Sequence, residues 1–163
     1  MKKHTILVGA HISIAGGFDK AIERAESIGC TCLQLFTKSN RQWHAKPLTE
    51  EAQEKFKKTV QSSSIAPQHI IAHASYLINI GSPNKVVEKR SIIALEQEIT
   101  RCHMLGITYL VLHPGSHGNT DESDCIQQII ANLIIVLKNS PQDTVILLET
   151  MAGQGNSIGY TFE

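Results

Sequence analysis

Three side chains that can bind a metal ion stand at the ends of three apolar runs. His73 follows His-Ile-Ile-Ala, His113 follows Tyr-Leu-Val-Leu, and Glu149 follows Val-Ile-Leu-Leu. They lie 40 and 36 residues apart, about what one strand, one crossover helix and two loops occupy. Each residue therefore falls at the same place in successive βα units. Since neighbouring parallel strands lie about 4.8 Å apart, side chains at their carboxyl ends can converge on one point.

Two imidazoles and one carboxylate around an open position are a ligand set that Zn²⁺ takes in hydrolytic sites, and Mn²⁺ and Fe²⁺ are weaker candidates. Such an ion lowers the pKa of bound water to about 7 and polarises a phosphoryl or carbonyl oxygen. A single histidine at a strand end is more often a structural residue. Three ligand types at the same phase of three units favour a metal site.

The elements that must position these residues follow from apolar runs, caps and glycines. We expect strands at 6–11, 31–36, 68–73, 107–113 and 145–149. Helices are expected at 18–28, 50–62 with Thr49 as N-cap, 83–105 and 122–137. The strands read as near-continuous apolar runs, which predicts a parallel sheet buried on both faces. No linker or low-complexity stretch divides the pattern, so one α/β layer is expected.

Two architectures compete for this pattern. A doubly wound open sheet would be complete in 163 residues, whereas a TIM (β/α)₈ barrel needs about 250 and would be half built, with the first four βα units and strand five. The phosphate fingerprint Gly-x-Gly-x-x-Gly does not follow the first strand, because Gly16-Gly17 lacks that spacing. Polar residues at the ends of several strands favour the barrel.

Composition limits the function classes. The chain is 42% hydrophobic and 18% charged, as in a soluble globular protein. Its start has no apolar signal region and no apolar run is long enough to span a membrane, so we expect a cytoplasmic protein. Its four cysteines form no Cys-x-x-Cys pair and are expected to be reduced. With a formal net charge of zero, any nucleic acid must be bound by a local patch.

Two loops carry residues that suit contacts with nucleic acid. After the second strand, Lys38, Arg41 and Lys46 are interleaved with Trp43 and no acid intervenes, which is typical of nucleic-acid contacts but also of an ordinary solvated loop. After His73 comes Ser75-Tyr76-Leu77-Ile78-Asn79, where an aromatic and a large aliphatic side chain share a loop. Loops seldom carry such residues unless they bind or pack.

The remaining histidines carry weaker signals. His11 also ends a strand, and it is either a structural residue, a support for the metal ligands or a contact to a substrate phosphate. His117 is undecided. Histidines in tails, loops or helices without partners at ligand spacing are expected to be structural, and these are His4, His44, His69 and His103.

Five motifs in this order closely resemble the endonuclease IV family of apurinic/apyrimidinic endonucleases, over essentially the whole chain. They are Gly9-Ala10-His11-Ile12-Ser13 with Gly16-Gly17, Phe36-Thr37-Lys38 with Arg41-Gln42-Trp43, His73-Ala74-Ser75-Tyr76-Leu77-Ile78-Asn79, His113-Pro114-Gly115-Ser116-His117, and Glu149-Thr150-Met151-Ala152-Gly153-Gln154-Gly155.

The resemblance implies a TIM-barrel enzyme with up to three zinc ions that cleaves the phosphodiester 5′ to an abasic site in double-stranded DNA and leaves a 3′-hydroxyl. His73, His113 and Glu149 match metal ligands of that family, and Glu149 matches the catalytic carboxylate that bridges two ions. Arg41, Tyr76 and Leu77 match residues that contact DNA at the lesion, and we add His11 to that DNA-binding set.

The chain also departs from the family pattern. The other zinc ligands of the family lie in the second half of the barrel, so at most one ion finds three ligands here. We therefore interpret residues 1–163 as the N-terminal part of a single TIM-barrel domain, which a second half or a partner chain completes. Two alternatives stay open: a truncated, inactive fragment that binds only metal or DNA, and a metal-dependent barrel that acts on sugars like an isomerase.

Overall fold

The computed structural model of the protein describes residues 6–162. It contains one five-stranded sheet, with strands β1 to β5 at Gly9–His11, Cys32–Phe36, Ile70–His73, Tyr109–Leu112 and Val145–Leu148. Four helices alternate with the strands, with α1 to α4 at Phe18–Ser27, Glu50–Ser62, Lys85–Leu105 and Glu122–Asn139. A short 3₁₀ turn, Pro67–His69, precedes β3.

The strand order decides between the two architectures. All four strand pairs are parallel, and the spatial order β1-β2-β3-β4-β5 is the order along the chain. A doubly wound sheet reverses its direction at a switch point, and the described strands contain no reversal. The prediction of a TIM barrel, present here as about its first four βα units and strand five, is confirmed.

Local chemistry explains where the elements begin and end. The Thr49 hydroxyl accepts a hydrogen bond from the Ala52 N–H at 3.2 Å and caps α2. Gly106 ends α3 in the left-handed region, with φ 73°. β1 is shorter than predicted, because the N–H of Val8 donates to the Thr31 hydroxyl at 2.8 Å instead of to a strand carbonyl. β3 is shorter because the 3₁₀ turn takes its first predicted residues.

The two faces of the sheet differ in burial. One face packs with the helices in a single core, and its strand residues are nearly inaccessible: Leu33, Leu35, Ile70, Ala72, Leu110 and Leu112. The alternate residues on the other face, such as Gln34, Ile71 and Val111, are half-buried. The expectation of a sheet buried on both faces is therefore wrong for residues 6–162, because α1 to α4 cover only one face.

The remaining expectations concern compartment. The helices within residues 6–162 include none with the length and apolar character that a membrane span requires. All four cysteines are free, and three of them are buried. Burial raises the pKa of the Cys102 thiol far above its ordinary value, so this side chain behaves as an apolar core residue. A cytoplasmic location stays a prediction.

The difference between the faces predicts a difference in stability. Leu110 is fully buried on the helix side, so Leu110→Ala should lower the free energy of unfolding by about 2–5 kcal/mol. Val111, the next residue, points to the half-buried face, and Val111→Ala should cost less than about half of that. Urea unfolding followed by far-UV circular dichroism measures both. Equal losses would show that both faces are packed.

Candidate metal centre

The parallel register brings the three predicted ligands to one edge of the sheet. His73 is the last residue of β3, while His113 and Glu149 directly follow β4 and β5. His73 pairs with Val111 and Val111 with Leu147, so His113 and Glu149 lie two residues further along. Residues two apart on a strand share a face. All three side chains therefore point to the half-buried face, at the carboxyl ends of the strands.

The distances within this group fit a bound cation. The Nε2 of His73 lies 3.0 Å from Oε2 of Glu149, and the Nε2 of His113 lies 3.2 Å from the same oxygen. One ligand atom from each residue lies within 4.8 Å of the others. Tetrahedral Zn²⁺ with bonds of 2.0–2.1 Å separates its ligand atoms by about 3.3 Å. Two of the three separations are thus close to those around such an ion, and the three side chains lie near enough to one another to hold one.

A backbone contact orients His73 for this role. Its Nδ1 donates to the carbonyl oxygen of Ala74 at 2.7 Å, and its side chain is buried. Because a carbonyl only accepts, Nδ1 is the donor in this contact, and Nε2 is the ring nitrogen that faces Glu149. The N–H of Ala74 in turn donates to Val111 at 2.8 Å. The ring is thus fixed by the same ladder that sets the register.

An aromatic frame surrounds the ligands. The ring of Tyr76 lies 5.2 Å from His73, 5.3 Å from His113 and 5.4 Å from Phe36, measured between centroids. Tyr76 therefore borders the metal group, which consists of His73, His113 and Glu149. Its side chain is nevertheless 57% exposed and also faces solvent. Leu77, beside it, is half-buried. Tyr76 is thus available for binding, rather than enclosed in the core.

His11 lies at the rim of the frame. Its Nδ1 lies 2.8 Å from the side-chain oxygen of Gln34, to which it donates. Its ring is 4.3 Å from that of Phe36 and 6.5 Å from that of His73. His11 is exposed and is not part of the three-ligand group. Both a structural role and a contact to a phosphate stay open for it.

The basic loop after β2 is less basic at its surface than its composition predicts. Arg41 and Lys46 are exposed. Lys38 is buried, donates to the carbonyl oxygen of Trp43 at 3.0 Å and lies 3.8 Å from Oε1 of Glu98. The expectation that Lys38 belongs to a surface patch is therefore wrong, because this buried carboxylate draws its ammonium inward.

Sequence reasoning missed Glu98. A signal for it was present, because Glu98 falls within the buried stripe of α3 that contains Leu95, Ile99 and Cys102. A carboxylate at such a position must be paired or hydrogen-bonded.

The other histidines lie apart from the metal group. His103 pairs with Asp143 at 2.8 Å, which holds the pKa of that carboxyl below its usual value. The Nδ1 of His117 donates to the carbonyl oxygen of Thr120 at 2.7 Å. His44 is exposed and His69 half-buried, and His4 lies outside the described residues.

Strand order, helix layer and the ligand group at the strand ends define the class of protein. The chain belongs to the xylose isomerase-like TIM barrel family, whose sequence model matches residues 22–163. The predicted resemblance is also confirmed: the chain is 41% identical to the probable endonuclease 4 of Campylobacter hominis over 157 residues, which are 96% of this chain and 55% of that protein. The chain thus spans about half the length of this relative.

Solved structures agree with this assignment. Endonuclease IV from Thermus thermophilus matches with a TM-score of 0.79 and 29% identity, over 93% of this chain and 55% of that one. D-psicose 3-epimerase from Clostridium cellulolyticum matches with a TM-score of 0.63 and 14% identity, over 88% of this chain and 53% of that one. The second likeness concerns the fold alone.

Metal binding can be tested with a matched histidine. His113→Ala should abolish binding of one Zn²⁺ per chain, because it removes one of three ligand atoms. His103→Ala should leave binding unchanged, since within residues 6–162 no third ligand joins His103 and Asp143. Isothermal titration calorimetry with zinc measures both. Equal zinc content in wild type and His113→Ala would refute the ligand role.

Proposed function

We propose that the protein acts as a zinc-dependent apurinic/apyrimidinic endonuclease in DNA repair, which hydrolyses the phosphodiester 5′ to an abasic site and leaves a 3′-hydroxyl. The observation that carries this proposal is the convergence of His73, His113 and Glu149 within 4.8 Å, beside the loops that present Arg41 and Tyr76. The 41% identity to a probable endonuclease 4 supports the same activity.

His73, His113 and Glu149 would hold the metal, and zinc suits two imidazoles and a carboxylate best. When bound, it would supply Lewis acidity toward the phosphate and lower the pKa of a water molecule. The Glu149 side chain is 44% exposed, so its carboxylate is not enclosed by the two imidazoles. This openness suits the bridging role, in which one carboxylate contacts two ions.

A complete site requires more than these three ligands. We propose that residues 1–163 form the N-terminal part of a single TIM-barrel domain and that a second barrel half or a partner chain supplies the ligands of further ions. The length of the matched relatives supports this, because the chain covers 55% of them. The half-buried face of the sheet, opposite the helices, is the surface that a second barrel half would cover.

The loops above the metal group suit a distorted duplex. Tyr76 is exposed beside the ligands, where it and Leu77 would enter the base stack, while Arg41 would contact the strand near the lesion. His11 would face a phosphate. Extruding an abasic nucleotide costs little, because no base has to be unstacked. The substrate would thus be selected because these side chains can open its base stack at a low cost in free energy.

The activity is tested with a labelled duplex that carries one abasic analogue. When the chain is extended by, or combined with, a second barrel half, we expect incision 5′ to the analogue, loss of incision with a chelator and restoration by zinc, with a product that a polymerase extends. The intact duplex is the control. Selective binding of the abasic duplex without incision would favour a binding module over an enzyme. Absence of both, with turnover of a free ketose, would favour a sugar-converting barrel.

A substitution in the loop after β2 should change lesion binding without changing metal binding. Arg41 is exposed and lies outside the metal group, so Arg41→Ala should weaken binding of the abasic duplex about tenfold and leave zinc content intact. Arg90→Ala on α3, which also removes an exposed guanidinium, serves as the control for charge. Fluorescence anisotropy of the duplex measures both. Equal losses would reduce Arg41 to a general charge effect.

A further inference from the structure

A buried carboxylate on α3 joins the two loops that carry the proposed DNA contacts. Glu98 is 1% exposed. It accepts a hydrogen bond from the hydroxyl of Thr37, at the start of the loop after β2, and one from the N–H of Ser75, in the loop after β3, at 3.3 Å. One side chain behind the sheet therefore contacts both loops.

Further contacts extend this connection along the loop after β2. The ammonium of Lys38 lies 3.8 Å from Glu98 and donates to the carbonyl oxygen of Trp43 at 3.0 Å. The hydroxyl of Ser75 donates to the carbonyl oxygen of Asn40 at 3.0 Å. The carbonyls of Asn40 and Trp43, on either side of Arg41, thus accept hydrogen bonds from two residues that Glu98 also contacts, Ser75 and Lys38.

Arg101, one turn further along α3, secures the ends of the same loop. Its Nε and Nη2 donate to the carbonyl oxygen of Thr37 at 3.0 and 2.6 Å, and its Nη1 donates to that of Lys46 at 3.1 Å. The loop from Thr37 to Lys46 is consequently held by three charged side chains rather than by an apolar contact alone.

Burying the charges of Lys38 and Glu98 lowers the stability of the fold unless other contacts offset it. Burial raises the pKa of Glu98 and lowers the pKa of Lys38, because removal from water disfavours the charged form of each group. Buried ion pairs often stabilise a fold no better than apolar residues of similar volume. Their benefit here is geometric, because hydrogen bonds fix the loops in direction as well as in distance.

We propose that Glu98 is a positioning residue for abasic-site recognition, an inference that rests on the proposed function. Glu98 contacts neither the metal group nor the solvent-facing surface that DNA would reach. It acts by holding the loop of Arg41 and the loop of Tyr76 and Leu77 at a fixed separation. The N–H of Leu77 donates to the Ser75 hydroxyl at 3.3 Å, which continues the connection to the residues that would enter the stack.

The chain contains its own probe for this role. Trp43 is the single tryptophan, and its carbonyl is bound by Lys38. In Glu98→Gln, we expect greater quenching of Trp43 fluorescence by acrylamide and at least about a tenfold loss of affinity for a duplex with an abasic analogue, as when a positioning contact is lost. Zinc stoichiometry should not change.

Two further variants separate positioning from stability. Glu96→Gln removes a carboxylate from the same helix that accepts from Asn139 instead of from the loops, and it should change neither quenching nor affinity. The double variant Lys38→Met with Glu98→Gln removes the buried ammonium together with its carboxylate partner. It should regain thermal stability relative to Glu98→Gln and yet keep the mobile Trp43 and the weak binding.

The outcomes distinguish this inference from the proposed function. If wild type prefers the abasic duplex to the intact one, and the double variant binds the abasic duplex as tightly as wild type does, the positioning role is refuted and the proposed function survives. Recovery of affinity together with thermal stability would likewise reduce Glu98 to a structural residue. If wild type shows no preference for the abasic duplex, the proposed function fails and the positioning role fails with it.

Discussion

The parallel register of β3, β4 and β5 is the constraint on which the candidate site depends. Side chains alternate between the faces of a sheet, so a slip of one residue turns every side chain of a strand to the opposite face. A slip of β4 would bury His113 under the helices and expose Leu112, which is 1% accessible. The apolar core on the helix side therefore fixes the polar arrangement on the other side.

Three consecutive residues at the carboxyl end of β3, His73 to Ser75, connect the metal group to the rest of the structure. His73 faces Glu149, the N–H of Ala74 continues the ladder to Val111, and the N–H of Ser75 donates to Glu98. Ligand, sheet and helix are thus tied within one short segment. Because Tyr76 follows directly, the position of the proposed stacking residue relative to the metal group has little freedom. The same short segment carries both catalysis and recognition in our proposal.

The parts of the structure that were predictable from the sequence are those that local chemistry determines. Thr49 caps α2 and Gly106 ends α3 as their residue types require, and the ends of three apolar runs predicted the three side chains whose ligand atoms lie within 4.8 Å of one another. Lys38 was misjudged because loop composition carries no information about Glu98, a partner that only the tertiary fold brings near. Apolar runs likewise predict that both faces of a strand are buried, but they do not identify which elements cover each face. Val111 stays half-buried because the helices of residues 6–162 cover one face.

Fold by itself does not decide between DNA and sugar as substrate, because sugar epimerases share this layout at low identity. Charge does not decide either, since the net charge is zero and Lys38 turns inward. Only Arg41 and Lys46 remain as exposed cations of the loop after β2. Phosphate attraction from this loop is therefore weak, so in the proposed function recognition would depend on side chains that enter a gap in the base stack. Tyr76, exposed beside the metal group and held by a loop that Glu98 secures, fits that requirement, and a small free sugar offers no stack for it to enter.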